Sequence, residues 1–240
     1  GPSTPCGEAR DLLPAAERYQ GEGYEDFLLK RAYSTAGSGL VPIRAAEVSA
    51  RAGQPFSEGV QQEGGLLLEP RHQRLFDFSV QYRIEQGRIR LVGFVEQIVH
   101  GVGRYRGALC RTKFCRGLDP ELAHYLMADC LPLYAEDGAL AADVASWAGQ
   151  TNYEGPLGID AYVYRHPSGA LALRAICEIN PRHTMGLVAW ELKRRIAQGR
   201  DLRFNLLKVE ELRPDDDQPE VDASGRLRGG SLVLTEVTPT

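Results

Sequence analysis

Alternation of apolar and polar residues gives the clearest structural signal in this chain. Between residues 75 and 84, large apolar residues alternate with polar ones, namely Phe76, Phe78, Val80 and Tyr82 against Asp77, Ser79 and Gln81. A period of two residues is typical of a strand that buries one face and exposes the other. A glycine-containing turn at 85–87 leads into a second apolar stretch, 88–100. The pattern therefore predicts a half-buried β-hairpin.

Shorter apolar runs predict the remaining elements. Strands are expected at 27–30, 66–68, 158–164, 171–179 and 231–237, and helices at 44–52, 138–149 and 184–197. Asp119, Pro120 and Glu121 form a helix start, because they supply a side-chain cap, a first-turn proline and a carboxylate near the positive end of the helix dipole. Pro70 is expected to end the strand 66–68, since proline cannot donate to a continuing ladder. The acidic segment 213–224 reads as a solvated loop.

Composition and charge exclude several classes of protein. The 240 residues are 43% hydrophobic and 25% charged, which is close to an average soluble domain. The formal net charge of −4 makes nucleic acid an improbable main partner. No apolar run approaches the roughly 20 residues that span a bilayer, so no membrane partner is expected.

The five cysteines are odd in number and scattered. This spacing argues against a disulfide framework and favours a reducing cytoplasm. Cys110 and Cys115 have no second ligand pair at zinc-binding spacing. The basic stretch 101–116 could attract an anionic substrate, but a solvated surface loop explains it equally well.

Three oxygen-bearing residues are candidates for a metal site. Asp160 and Glu178 fall on two strands that we expect to pair as a hairpin, and Asn180 follows Glu178 on the same face of its strand. Magnesium prefers oxygen ligands and often bridges substrate phosphates from one or two carboxylates. Arg182 follows a proline two residues later, where its guanidinium could meet a phosphate oxygen. Taken singly, a carboxylate at a strand end is more often only solvated.

A second candidate site begins at Lys30. This lysine ends a strand just before a loop of small residues that includes Ser34, Gly37, Ser38 and Gly39. Its ammonium and the free backbone N–H groups could hold nucleotide phosphates. The loop lacks the Gly-Lys-Ser/Thr sequence of a P-loop and the third glycine of a dinucleotide site, and it is equally compatible with a simple turn.

The order of these motifs resembles the ATP-grasp superfamily. Gly158-Ile159-Asp160 followed by Glu178-Ile179-Asn180-Pro181-Arg182 is similar to the metal-binding lobe of that family, and Lys30 with its loop is similar to the phosphate-binding lobe. The resemblance implies an α+β fold of two lobes, whose antiparallel sheets sandwich the nucleotide. It implies a first lobe at 24–68 and a second at 69–240. Residues 1–23 are then a tag remnant with a linker, or the remnant of a preceding lobe.

The resemblance also implies a function and a set of roles. The family activates a carboxylate with ATP as an acyl phosphate, which an amine or thiol then attacks. ATP and one or two Mg²⁺ ions, with Mn²⁺ as a substitute, would be the cofactors, and small-molecule carboxylates and amines the substrates. Asp160, Glu178 and Asn180 would bind the metal, and Arg182 would act in catalysis. Glu69 would receive the adenine and Asp77 the ribose.

Two departures from the family pattern leave other readings open. No lysine precedes Lys30, and the family's N-terminal substrate lobe is absent or reduced. A non-catalytic ATP-binding module and a phosphotransferase on the same fold therefore remain alternatives. Among the histidines, His183 is the candidate for contact with the acceptor substrate, because it adjoins Arg182.

Overall fold

The computed structural model describes residues 3–6, 11–31, 40–52, 66–100, 104–206 and 219–229. Within these ranges the strands are β1 (Thr4–Cys6), β2 (Asp26–Arg31), β3 (Leu40–Arg44), β4 (Leu66–Pro70), β5 (Gln73–Glu85), β6 (Arg88–His100), β7 (Arg104–Cys110), β8 (Gly155–Arg165), β9 (Leu171–Asn180), β10 (Leu202–Asn205), β11 (Glu220–Val221) and β12 (Leu227–Gly229). The helices are α1 (Leu12–Gly21), α2 (Ala45–Ala52), α3 (Pro120–Tyr125), α4 (Leu131–Tyr134), α5 (Ala139–Thr151) and α6 (Met185–Ile196), with a π-helical turn at Leu126–Cys130. The predicted α+β class is confirmed.

The first sheet has four antiparallel strands in the order β1-β4-β2-β3. Helix α1 contributes Leu12, Ala15, Ala16 and Tyr19 to a core shared with Phe27, Leu29, Ile43 and Leu68. The Tyr19 hydroxyl is fully buried and donates to the Leu68 carbonyl at 3.2 Å. Residues 1–23, expected as a linker or remnant, therefore include a strand and a helix that belong to this core.

Pro70 does not end its strand where the sequence suggested. Strand β4 runs through Glu69 to Pro70, which pairs with Phe27 of β2. On its other side β4 pairs with β1 only at 66–68. At Pro70, β4 pairs with β2 alone, because β1 does not extend beyond residue 68 of β4. Proline is tolerated at such an edge position, where its missing N–H interrupts no ladder with a second strand.

The second sheet has six strands in the order β10-β7-β6-β5-β8-β9. The predicted hairpin is confirmed, with Phe78 opposite Glu96 and Glu85 opposite Arg88. The prediction that β5 is half-buried is wrong, because Ser79 and Gln81 are each only 1% exposed. Helix α6 covers this polar face: an added Cβ at Gly93, opposite Gln81, would lie 2.5 Å from the Trp190 ring.

Aromatic packing fills the other face of β5. Tyr82 is fully buried and donates its hydroxyl hydrogen to the Tyr134 carbonyl at 2.6 Å. Phe78 meets the Tyr134 ring edge-on, with centroids 5.7 Å apart. Edge-to-face pairs of this kind add to the stability that buried apolar area provides.

Two segments read as loops contain strands. The basic stretch 101–116 includes β7, which pairs with β10. Tyr105 and Leu109 are the large apolar residues of β7, and they are too few to show the strand in a pattern based on such residues. In the acidic stretch, Glu220–Val221 pairs with Leu227–Gly229 as a short hairpin. The strand predicted at 231–237 lies outside the described residues.

The chain divides into two compact units. One comprises 1–77, 99–105 and 161–177, and the other 78–98, 106–160 and 178–240. The lobe boundaries at 24–68 and 69–240 stay predictions. None of the helices in the described ranges is long and apolar enough to cross a bilayer. None of the five cysteines is in a disulfide.

Candidate functional site

Asp160 is the centre of a hydrogen-bonded group in the second unit. Gln97 donates from Nε2 to its Oδ1 at 2.8 Å, and Asn180 donates from Nδ2 to its Oδ2 at 3.3 Å. The Ser79 hydroxyl is a further hydrogen-bonding group at this carboxylate and lowers its pKa. Burial raises the pKa of Asp160 most, and the nearby Glu178 charge raises it further, while the hydrogen bonds and Arg182 lower it. Two carboxylates therefore repel each other at this position.

The end of β9 and the turn that follows it bring the other three predicted residues to Asp160. Asn180 is only 5% exposed, whereas Glu178 and Arg182 are exposed. Arg182 donates from Nη2 to the Asn180 Oδ1 at 2.6 Å, and its backbone N–H donates to the Asn180 carbonyl at 2.8 Å. This double contact fixes the turn that carries Arg182.

The donor set fits a hard divalent cation. Asp160 and Glu178 supply carboxylate oxygens and Asn180 supplies an amide oxygen, which are the ligand types that Mg²⁺ selects. A cation beside Asp160 and Glu178 would offset both burial, the main cause of the raised Asp160 pKa, and the smaller effect of the Glu178 charge. No cluster of three or more His, Cys, Asp or Glu side chains occurs among the described residues, so a metal here would depend on the amide and on substrate oxygens.

Sequence reasoning missed the side chains that support Asp160. Ser79, Gln81 and Thr184 form a buried chain in which Gln81 donates to Ser79 Oγ at 2.7 Å and Thr184 donates to Gln81 Oε1 at 2.6 Å. Thr184 also caps α6 by accepting from the Leu187 N–H at 3.0 Å. The available signal was a row of polar residues that alternates with the large apolar residues of β5. A strand with one face in solvent has the same pattern, so the pattern does not reveal a buried polar network.

The predicted nucleotide residues lie in the first unit. Lys30 is half-buried on β2, opposite Leu40 and Leu67, and its ammonium forms no ion pair with any residue that the structure describes. Ser34, Gly37, Ser38 and Gly39 lie outside the described residues.

Glu69 and Asp77 both have cationic partners in that unit. Glu69 accepts from Arg174 Nη2 at 3.3 Å and from Ser3 Oγ at 2.5 Å, and its side chain is 13% exposed. Arg74 donates to Asp77, which is 6% exposed. Burial raises the pKa of Asp77, and Arg74 opposes that shift. Neither carboxylate is therefore a free acceptor in this structure.

Arg74 belongs to an aromatic group around His72. The Arg74 guanidinium lies 4.0 Å from the centroid of the Tyr162 ring, and His72 stacks on Tyr164 at 3.7 Å. His72 Nδ1 lies 2.9 Å from the Tyr162 hydroxyl. Burial lowers the pKa of His72 to about 3, and the charges of Arg174 and Arg74 act in the same direction. His72 is therefore neutral at physiological pH.

His183 lines an open groove in the second unit. The groove has a volume of about 490 Å³, and Arg83, Leu187, Val188 and Arg195 also line it. Arginines and aliphatic side chains together suit a ligand with an anionic group and an apolar body. The acceptor role of His183 stays a prediction.

No family model matches the chain, but a curated protein and solved structures do. The butirosin acyl-carrier protein L-glutamate ligase of Niallia circulans is 29% identical over 206 residues, which cover 83% of this chain and 44% of that protein. The biotin carboxylase of Campylobacter jejuni, solved as a β-γ-ATP complex, matches with a TM-score of 0.55 and 15% identity over 82% of this chain and 40% of its own.

A second solved structure agrees with the first. The biotin carboxylase domain of the Hydrogenobacter thermophilus 2-oxoglutarate carboxylase, solved with MgADP, ADP and bicarbonate, matches with a TM-score of 0.53 and 19% identity over 80% of this chain and 38% of its own. The chain thus spans less than half the length of each of these three proteins. This likeness shows that the chain has the fold of these two carboxylases, which is the ATP-grasp fold that the sequence predicts.

Proposed function

We propose that the chain is the ATP- and magnesium-binding part of a ligase that joins a carboxylate to an amine or a thiol. The observation that carries the proposal is the arrangement of Asp160, Asn180 and Arg182, which are linked by hydrogen bonds beside the Glu178 carboxylate. Phosphoryl transfer needs mainly positioning and charge neutralisation, so such a site requires no nucleophile from the protein.

Each residue has a distinct role in this reaction. Asp160, Glu178 and Asn180 would hold one or two Mg²⁺ ions, with Mn²⁺ as a substitute. The ion supplies charge that stabilises the transferring phosphoryl group and orients it. Gln97 and Ser79 donate hydrogen bonds to the Asp160 carboxylate and so favour its ionised form, which can bind a cation.

Arg182 and Lys30 would act on the phosphoryl oxygens. A carboxylate oxygen of the substrate attacks the γ-phosphorus, the bond to the β–γ bridging oxygen breaks, and ADP leaves. The Arg182 guanidinium, oriented through Asn180, offers its remaining N–H groups to the acyl phosphate. The amine or thiol then attacks the acyl carbon, loses its proton to solvent, and expels phosphate.

The relatives support this reaction class and leave the substrates open. The relative from Niallia circulans is by name a ligase of L-glutamate and an acyl-carrier protein. We propose small-molecule carboxylate and amine substrates here, with no nucleic-acid or membrane partner. A cytoplasmic location is the corresponding proposal, based on five cysteines of which none is in a disulfide.

Measurement of ADP release tests the proposal against its alternatives. A ligase releases ADP when ATP, Mg²⁺, a carboxylate and an amine or thiol are all present. A phosphotransferase releases ADP without the second nucleophile, and a non-catalytic module binds ATP but releases none. L-Glutamate is a suitable first carboxylate, with hydroxylamine to trap the acyl phosphate as a hydroxamate. Binding of Mg-ATP without hydroxamate across a panel of carboxylates would contradict the ligase assignment.

A further inference from the structure

The side-chain amide of Gln81 has a fixed direction inside the second unit. Its Oε1 accepts from Thr184 Oγ1 at 2.6 Å, and its Nε2 donates to Ser79 Oγ at 2.7 Å. Gln81 is 1% exposed, so bulk water does not compete for either end. Because Ser79 already accepts from Gln81, its own hydroxyl hydrogen is free to bond the Asp160 carboxylate. From Thr184 through Gln81 and Ser79, each side chain therefore donates its hydrogen in the direction of Asp160.

Two glycines hold the amide in place. An added Cβ at Gly186 would lie 2.8 Å from Gln81 Nε2, and one at Gly158 would lie 3.4 Å from Oε1 and 2.6 Å from Thr184 Cγ2. A side chain at position 186 would therefore displace the amide nitrogen, and one at position 158 would displace Thr184. The hydrogen bonds at both ends fix the orientation of the amide.

We propose that Gln81 is a positioning residue for the metal site, acting through Ser79 on Asp160 and through Thr184 on the segment that carries Arg182. The inference rests on the proposed magnesium-dependent function, and it assigns to Gln81 a part in setting the Mg²⁺ affinity of the site. Asp160 receives hydrogen bonds from Ser79, Gln97 and Asn180 and so has only acceptor oxygens to offer a cation. Thr184 begins α6 two residues after Arg182, so one amide connects both halves of the site.

Substitution of Gln81→Glu tests the direction of these bonds at nearly constant volume. An ionised carboxylate at position 81 can only accept, so the Ser79 hydroxyl turns towards it and away from Asp160. Loss of one hydrogen bond to a charged ligand weakens Mg²⁺ binding by about tenfold. Simple attraction between an added negative charge and a cation would instead tighten binding. The two explanations therefore predict opposite changes in Mg²⁺ affinity: the hydrogen-bond role predicts weaker binding in Gln81→Glu, and simple charge attraction predicts tighter binding.

The measurement is calorimetric titration of Mg²⁺ into the chain with saturating ADP, which does not depend on turnover. A carboxyl group that kept its proton at position 81 would imitate the amide, so the titration is repeated from pH 6 to pH 9 and the loss is expected to grow with pH. Gln150→Glu is the matched control, since Gln150 is exposed on α5 and bonds only Ser146 among the described residues. It should leave Mg²⁺ affinity unchanged.

A double-mutant cycle shows whether Ser79 carries the effect. In a Ser79→Ala background, Gln81→Glu should weaken Mg²⁺ binding by less than twofold, because the link to Asp160 is already gone. If Gln81→Glu does not fold, Gln81→Met replaces it in the test. Gln81→Met removes both hydrogen bonds and should weaken Mg²⁺ binding severalfold in the wild-type background, and by a smaller factor in the Ser79→Ala background.

Each result separates this inference from the proposed function. Wild-type chain that binds no Mg²⁺ with ADP overturns both. Wild-type binding combined with unchanged or tighter binding in Gln81→Glu at every pH overturns only the role of Gln81. An equal loss with and without Ser79 also overturns it, because the effect would then bypass the hydroxyl.

Discussion

Replacement of Gly186 by alanine should destabilise the protein, although alanine normally stabilises a helix. Gly186 is the second residue of α6, and alanine exceeds glycine in helix propensity by up to about 1 kcal/mol. At this position, however, the new Cβ would lie 2.8 Å from Gln81 Nε2. That distance is shorter than a stable contact, so the Gln81 side chain or α6 must move.

The cost follows from what holds Gln81. A flexible glutamine on the surface would turn aside at little expense, but this one is 1% exposed and bonded at both ends. Moving it breaks one or both hydrogen bonds in a dry environment, at about 1–3 kcal/mol. After a propensity gain of up to about 1 kcal/mol is subtracted, a net loss of up to about 2 kcal/mol in the free energy of unfolding is expected.

Gly149→Ala is the matched control in the same unit. Gly149 lies in α5, and beyond the backbone of that helix no heavy atom of the described residues comes within 4 Å of an added Cβ. The same substitution should there raise stability by about 0.5–1 kcal/mol. Urea unfolding gives both values from the midpoint, provided the slope is unchanged. A Gly186→Ala chain as stable as wild type, or more so, refutes the argument that Gln81 is clamped.

Three further changes test other parts of the molecule. Glu178→Gln should lower ADP release by roughly 100-fold or more, since it removes the charge of a metal ligand. It should change the free energy of unfolding by no more than about 0.5 kcal/mol, because Glu178 is exposed. Tyr82→Phe should cost about 1–1.5 kcal/mol in urea unfolding, because it removes the hydroxyl that donates to the buried Tyr134 carbonyl; an unchanged midpoint would contradict that. His72 has its pKa lowered to about 3 in the folded state, so unfolded chain binds more protons between pH 6.5 and 3 and stability falls as pH falls through that window. His72→Phe should keep the stack on Tyr164 and make the loss of stability in this window less steep, as thermal melting at successive pH values would show.

Local patterns predicted the elements whose signal lies within a few residues. The hairpin of β5 and β6 follows from alternation around a glycine turn, and helix α6 follows from the apolar positions within 184–197. The group of Asp160, Glu178, Asn180 and Arg182 was found because three of the four lie within five residues of sequence. Such signals survive folding because neighbouring residues on one strand or turn stay together.

Features that depend on distant partners were missed for a physical reason. Ser79 and Gln81 look like residues of a solvated face, because sequence alone does not show that α6 covers them. Gln97 becomes relevant only where β6 meets Asp160 of β8 within the folded unit. A polar residue in a strand can face water or a buried site, and only tertiary pairing decides between them.

The charges at the site imply an order of binding. Asp160 and Glu178 carry −2 when ionised and Arg182 carries +1, which leaves the site at −1 and unfavourable for a polyphosphate. One Mg²⁺ changes this balance from −1 to +1, so the site attracts phosphate only together with the cation. Nucleotide should therefore bind as its magnesium complex, and removal of Mg²⁺ by chelation should weaken ADP binding to wild type. In Glu178→Gln the same site starts at 0 instead of −1, so its ADP affinity should depend less on Mg²⁺. A magnesium dependence equal to that of wild type would show that Glu178 does not contribute to this charge balance.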